Sequence, residues 1–131
     1  MAKVLSLAVR VPPLLLCILF GFLGIRSMTN PDRAATFFGY AFPNTGLGLS
    51  SFVGHSVSWA LTIALCLALG LIRKERSWFY PAMMLFGFFA LGRIAATLFH
   101  GAPVHPERLL PELAFTGLLY LAARQTPHTS R

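Results

Sequence analysis

Four stretches of this chain contain no Asp, Glu, Lys or Arg: Val11 to Ile25, Ala34 to Ile72, Ser77 to Gly92, and Leu113 to Ala123. No other feature limits the fold as sharply. A domain in water needs polar side chains to coat its surface, and soluble domains are about 25% charged. Here the figure is 11%, against 56% hydrophobic residues and a mean hydropathy of +0.67. Runs of this kind suit helices that satisfy every backbone hydrogen bond internally while their side chains face lipid. The chain is therefore expected to be all-α, a single integral membrane four-helix bundle over residues 1–131. Its spans are expected at about 13–27, 49–72, 78–99 and 111–124. The first and last lie near the short end of what crosses a bilayer.

The segments between the runs supply the punctuation. Lys3, Ser6 and Arg10 share one helical face ahead of the first span, a pattern that suits a segment lying on lipid headgroups. Pro12 and Pro13 should then reset the backbone, because proline fits the first turn of a helix and breaks its interior. The apolar run ends without a small-x-small cleavage pattern, so it reads as a retained span. Cys17, Gly21 and Gly24 give that span a seam of small residues. Asn30-Pro31-Asp32 is a helix-start signal, and a short helix reaching about Tyr40 is expected after it. Its aromatics, Phe37, Phe38, Tyr40 and Phe42, suit the membrane–water boundary, so it should lie on the membrane as an interfacial helix in the first outer loop. Pro43, Asn44, Gly46 and Gly48 interrupt the chain before the second span. There Ser56, Ala60, Ala64 and Ala68 form a small-residue stripe for close helix approach. Arg73-Lys74-Glu75-Arg76 makes a tight turn, and Trp78 and Tyr80 anchor the third span.

The net charge of +7 divides unequally between the two sides of four spans. Lys3, Arg10, Arg73, Lys74, Arg76, Arg124 and Arg131 fall on one side; Arg26, Arg33 and Arg108 fall on the other. Cytoplasmic loops collect Lys and Arg, so both termini should be cytoplasmic. The cations are scattered over short loops and tails rather than gathered on one face, which argues against nucleic acid as a partner. The bilayer is the expected partner, with a second copy or another membrane protein if the chain assembles. Cys17 and Cys66 fall mid-span, where they read as small packing residues.

Within this apolar background one stretch stands out, GRIAATLFHGAPVHPERLLPE from Gly92 to Glu112. It sets Arg93 inside a span and Glu112 at the head of the next. A charge at mid-helix depth costs about 2.5–3.5 kcal/mol on insertion scales, so it usually faces the protein interior and finds a partner. Arg93 and Glu112 are accordingly expected to pair across the third and fourth spans, as a structural lock or as part of a polar pocket. His55 and His100 fall toward the same outer face and are candidate members of such a pocket. Phe86, Phe88 and Phe89 read as a lipid-facing or packed surface rather than a ligand box. His100 and His105 are five apart, with Asp32 and Glu107 as further ligand types, but that spacing is a weak metal signal and loop histidines are mostly solvated. No metal or cofactor is expected. The chain has no Walker loop, GxGxxG or HExxH.

Gly92-Arg93, then His100-Gly101-x-Pro103, then Glu112-Leu113 before a short apolar helix resembles a family of small bacterial membrane proteins of unknown function, the DUF4345-like group. The resemblance is best from Trp78 to Ala123. It implies a four-helix bacterial membrane protein with a Gly-Arg near the end of helix three, and no established enzyme activity. His100 stands where those proteins usually carry an acidic residue. The leading expectation is a non-catalytic structural or accessory protein of a bacterial inner membrane, and not an enzyme. A small-solute or ion carrier using the outer polar cluster is the second reading. A haem or quinone protein, with His55 and His100 as axial ligands for a haem, is the third.

Overall fold

The computed structural model describes residues 2–39, 41 and 46–126, with side chains from Arg10 onward. The expectations for Tyr40, Phe42, Pro43 and Asn44 and for the tail beyond Thr126 lie outside the described residues, and that for the shared face of Lys3 and Ser6 rests on side chains outside those described. The protein is all-α. Its helices are α1 (Ala2–Thr29), α2 (Pro31–Phe38), α3 (Gly46–Arg73), α4 (Phe79–His100) and α5 (Pro106–Gln125), with one 3-10 turn, Arg76–Trp78, ahead of α4. Among the described residues, three stretches are long and apolar enough to cross a membrane: Arg10–Thr29, Gly46–Arg73 and Arg76–His100. The architecture is that of a multi-pass membrane helical bundle. Helix α5 is less apolar because Glu107, Arg108 and Glu112 occupy its first two turns.

α1 packs most extensively against α3, and α4 against α5; smaller contacts between α1 and α5 and between α3 and α4 close the ring. Neighbours in this ring run antiparallel. Along the first seam the Cys17 thiol donates to the Ala64 carbonyl at 3.3 Å, and Gly24 lies against Leu61. A Cβ added at Gly24 would stand 2.5 Å from Leu61 Cδ2, so only glycine permits this approach without moving the leucine. Small residues on one helix thus meet Ala64 on the other, which brings the backbones close enough for dispersion and weak hydrogen bonds to hold them. At the bundle centre Ile63, Leu67 and Leu119 are fully buried with Leu16, Phe20, Phe79 and Phe86 around them. Phe20 of α1 and Phe86 of α4 meet edge to face across the diagonal, centroids 5.2 Å apart.

Four element boundaries differ from the sequence reading. α3 starts at Gly46, so Gly46 and Gly48 lie in its first turn rather than interrupting the chain before it. Pro12 and Pro13 do not restart the chain; α1 runs through both. Proline inside a helix removes an amide donor and costs about 3 kcal/mol or more. Here Pro13 is fully buried, lining a small recess with Phe79, Ala122 and Thr126 at one end of the bundle. That tertiary packing overrides the local preference. Helix α5 opens at Pro106 rather than near Pro111, because His105-Pro106 already provides a helix start, with the His105 carbonyl accepting from the Arg108 and Leu109 amides. α2 begins at Pro31 after the single residue Asn30 and ends at Phe38, two residues short of the expected end, where Gly39 takes the left-handed conformation at φ 76°.

Candidate functional site

The α4–α5 hairpin sets the height of its charged residues. Gly101 adopts φ 65°, and the Gly101 and Ala102 amides donate back to Thr97 and Ala96, closing α4 with a left-handed cap. Pro103 prevents the helix from continuing, and Pro106 starts the next one. Arg93 lies seven residues before the end of α4 and Glu112 six after the start of α5. At 1.5 Å per residue these are about 10 Å and 9 Å from the turn, so the two side chains meet at equal depth.

They form one ion pair. Arg93 Nε donates to both Glu112 carboxylate oxygens, at 2.8 and 3.0 Å. The glutamate side chain is 13% exposed and the arginine 40%. Only Nε is used, so the two terminal nitrogens of the guanidinium make no hydrogen bond to a described residue. Each remaining N–H is a donor that needs a partner.

Beside this pair a cavity of about 240 Å³ is lined by residues of all five helices, with Leu19, Phe37, Glu107 and Pro111 its exposed members. Rings make its walls: Phe20 and Phe86 as the floor, with Trp59, Phe89 and Phe115 around them. Trp59 touches Phe20, Phe38 and Phe89 with centroids 5.7, 4.8 and 5.2 Å away, so the rings form one continuous set. Phe37 and Phe38 of α2 line the outer side, and α2 is tied down from α5, where Arg108 Nη1 donates to the Phe37 carbonyl at 2.6 Å. The rim holds four charged groups that sum to zero: Arg93, Arg108, Glu107 and Glu112. A second cavity, also about 240 Å³, lies behind Arg93 under the α4–α5 turn, lined by Ile94, Thr97, Val104 and Leu109. The arginine stands on the wall between the two.

The structure brings Arg93 and Glu112 together and leaves both histidines out. His55, expected as a candidate pocket member, is exposed on α3 with Nδ1 against the Ser51 carbonyl of its own helix at 3.1 Å. His100, the last residue of α4, is exposed and lines neither cavity. Their separation from the pair follows from the helical periodicity of each segment, which turns both side chains to the outside. His105 contacts Glu107 at 2.9 Å on the exposed turn. The Glu107 carboxyl is held below the usual glutamate value, chiefly by its own backbone amide and then by His105. Among the described residues no three His, Cys, Asp or Glu side chains converge as a metal site would require.

Several site residues were not evident as such in the sequence. Phe86 and Phe89 face the cavity, whereas Phe88 alone of the three is exposed. Glu107 and Arg108 are part of the rim because α5 starts early. The available signal was the spacing of Arg108 and Glu112, four apart and hence on one helical face once Pro106 is taken as the first residue. No family model, curated protein or solved structure matches this chain.

Proposed function

We propose that this chain is a non-catalytic accessory protein of a bacterial inner membrane, a four-span bundle with both termini in the cytoplasm and a relative of the DUF4345-like group. The Arg93–Glu112 pair carries this reading. The two charged side chains deepest in the α4–α5 hairpin are joined to each other, which makes them a register lock between the two helices. α5 has twenty residues, about 30 Å at 1.5 Å each, enough to cross the hydrocarbon core alongside α4. The described cations support the orientation: Arg10, Arg73, Lys74, Arg76 and Arg124 cluster at one end of the bundle, and Arg26, Arg33 and Arg108 at the other.

The cavity favours a second reading, a carrier of a small solute. Against conduction through the bundle stands the floor of Phe20 and Phe86, beyond which Ile63, Leu67 and Leu119 fill the centre. The arrangement suits holding a molecule better than passing one. Exchanging the pair, Arg93→Glu with Glu112→Arg, distinguishes the readings in a strain whose own copy is deleted. A structural lock is restored by the exchange, so abundance and phenotype both return. Full abundance with no phenotype would overturn the accessory reading and make the pair part of a working pocket. A reporter active only outside the cytoplasm, fused after Gln125, should stay silent; activity there would reverse the orientation.

A further inference from the structure

The geometry points to the ring-lined cavity as the binding site for the headgroup of a lipid-soluble molecule, a neutral, flat ring bearing carbonyl oxygens, as in a substituted benzoquinone. Four observations on separate elements carry this assignment. The lining includes exposed Leu19 of α1 and Pro111 of α5 on the flank of the bundle, besides exposed Phe37 and Glu107 at its outer end, so a molecule dissolved in lipid meets the cavity from the side. The volume, about 240 Å³, is below the roughly 300–1,000 Å³ of pockets that enclose a whole drug-sized ligand. It accommodates one ring and leaves a tail in the lipid.

The walls select a flat group. Phe20, Phe86 and Phe115 meet edge to face at 5.2 and 5.3 Å, and Trp59 and Phe89 do so at 5.2 Å, so ring faces and edges alternate around the space. A flat ring fits such a wall by stacking and edge contacts, which add to the gain from buried area alone. The rim selects a neutral acceptor. Its two cations and two carboxylates cancel, so an anion or a cation would gain little from the site as a whole. Arg93 still offers terminal N–H donors at the cavity, since Glu112 occupies only Nε. A carbonyl oxygen accepts from them without disturbing the ion pair.

The two tryptophans make the test internal, because Trp59 lines the cavity and Trp78 lies at the opposite end, under Arg73. Trp78→Phe leaves Trp59 as sole emitter, and Trp59→Phe leaves Trp78. Both proteins are placed in nanodiscs of phosphatidylcholine and titrated with a decyl-substituted benzoquinone. Quenching of Trp59 should saturate, while Trp78 should show only the linear quenching of probe dissolved in the lipid. Decylbenzene, which has the ring and tail without carbonyls, should not displace the probe at equal mole fraction. Arg93→Gln with Glu112→Gln, which leaves no orphaned charge, should weaken the saturable phase about tenfold. Linear quenching of both tryptophans, displacement by decylbenzene, or undiminished binding to the double variant would each overturn the assignment. Phe89→Leu, which keeps apolar bulk and removes one ring, decides the matter if the double variant fails to assemble. Unchanged saturation in that protein sinks the flat-ring site.

Discussion

Truncating Arg93 should harm the protein more than truncating Glu112, and the two losses should not add. Arg93→Ala leaves a carboxylate that is 13% exposed, between apolar helices, without its Nε donor. Hydrogen bonds to charged groups contribute about 1.5–3 kcal/mol, and the orphaned group keeps its desolvation cost, so a loss of about 2–3 kcal/mol is expected. Glu112→Ala leaves a guanidinium already 40% exposed on a long, flexible stem. It can swing toward the boundary, and the loss should be nearer 1 kcal/mol. Removing both leaves no lone charge, only a slightly larger cavity, at a cost of about 1–2 kcal/mol. The cycle therefore predicts a coupling of about 1–3 kcal/mol, at or above the upper range measured for polar contacts between membrane helices. The assay is reversible unfolding in mixed detergent micelles, with all four proteins followed by tryptophan emission. Additivity within about 0.3–0.5 kcal/mol would mean that the residues do not interact. A larger loss for Glu112→Ala than for Arg93→Ala would refute the burial argument even if coupling were present.

Three further outcomes test other parts of the structure. Gly70→Ala should destabilise by about 1–3 kcal/mol, because its Cβ would lie 2.9 Å from the ring of buried Phe79, whereas Gly54→Ala, with open space around it, should not; equal effects in chemical unfolding would count against the α3–α4 packing. Arg108→Ala should release α2, seen as faster amide exchange across Pro31–Phe38 with α4 unchanged; identical exchange would mean the 2.6 Å bond to the Phe37 carbonyl does not hold that helix. Since the Glu107 value is depressed on folding, chiefly by its own backbone amide and then by His105, the stabilisation from these bonds is fully present above the ordinary glutamate value of about 4.3 and is lost as pH falls through the depressed one. Carboxyl carbon NMR should show Glu107 titrating below that ordinary value, and a midpoint at or above it would contradict the geometry.

The long helices were legible because charge is scarce: most of each candidate crossing falls in a run lacking Asp, Glu, Lys and Arg. Arg93 and Glu112 were legible for the same reason, since a lone charge in such a run needs a partner, and hairpin arithmetic puts these two at one depth. What local rules missed was decided by tertiary packing. Two prolines are a strong local stop, yet burial of Pro13 against α5 carries α1 through them. The cavity could not be read because no periodicity distinguishes a phenylalanine facing lipid from one facing a cleft. Phe88 and Phe89 are adjacent, and only their helix's rotation against α3 separates the exposed ring from the lining one. The histidines misled because a polar residue in an apolar run invites a role, whereas His55 settles on its own backbone.

The ring of helices has a direction in time. Its two largest pairings, α1 with α3 and α4 with α5, join helices adjacent along the chain apart from the short α2. Each is a hairpin that can zip together from local contacts as soon as its second helix has formed. The contacts that join the hairpins, between α1 and α5 and between α3 and α4, are fewer, and the Phe20–Phe86 contact across the diagonal forms only when α4 arrives. That distribution of contacts favours the docking of two hairpins over a stepwise accretion of helices. The junction between the halves is the Arg73–Trp78 turn, where Lys74 holds a left-handed conformation at φ 56°. A chain cut there and expressed as two pieces retains every contact within each half, and the two pieces have a surface on which to find each other.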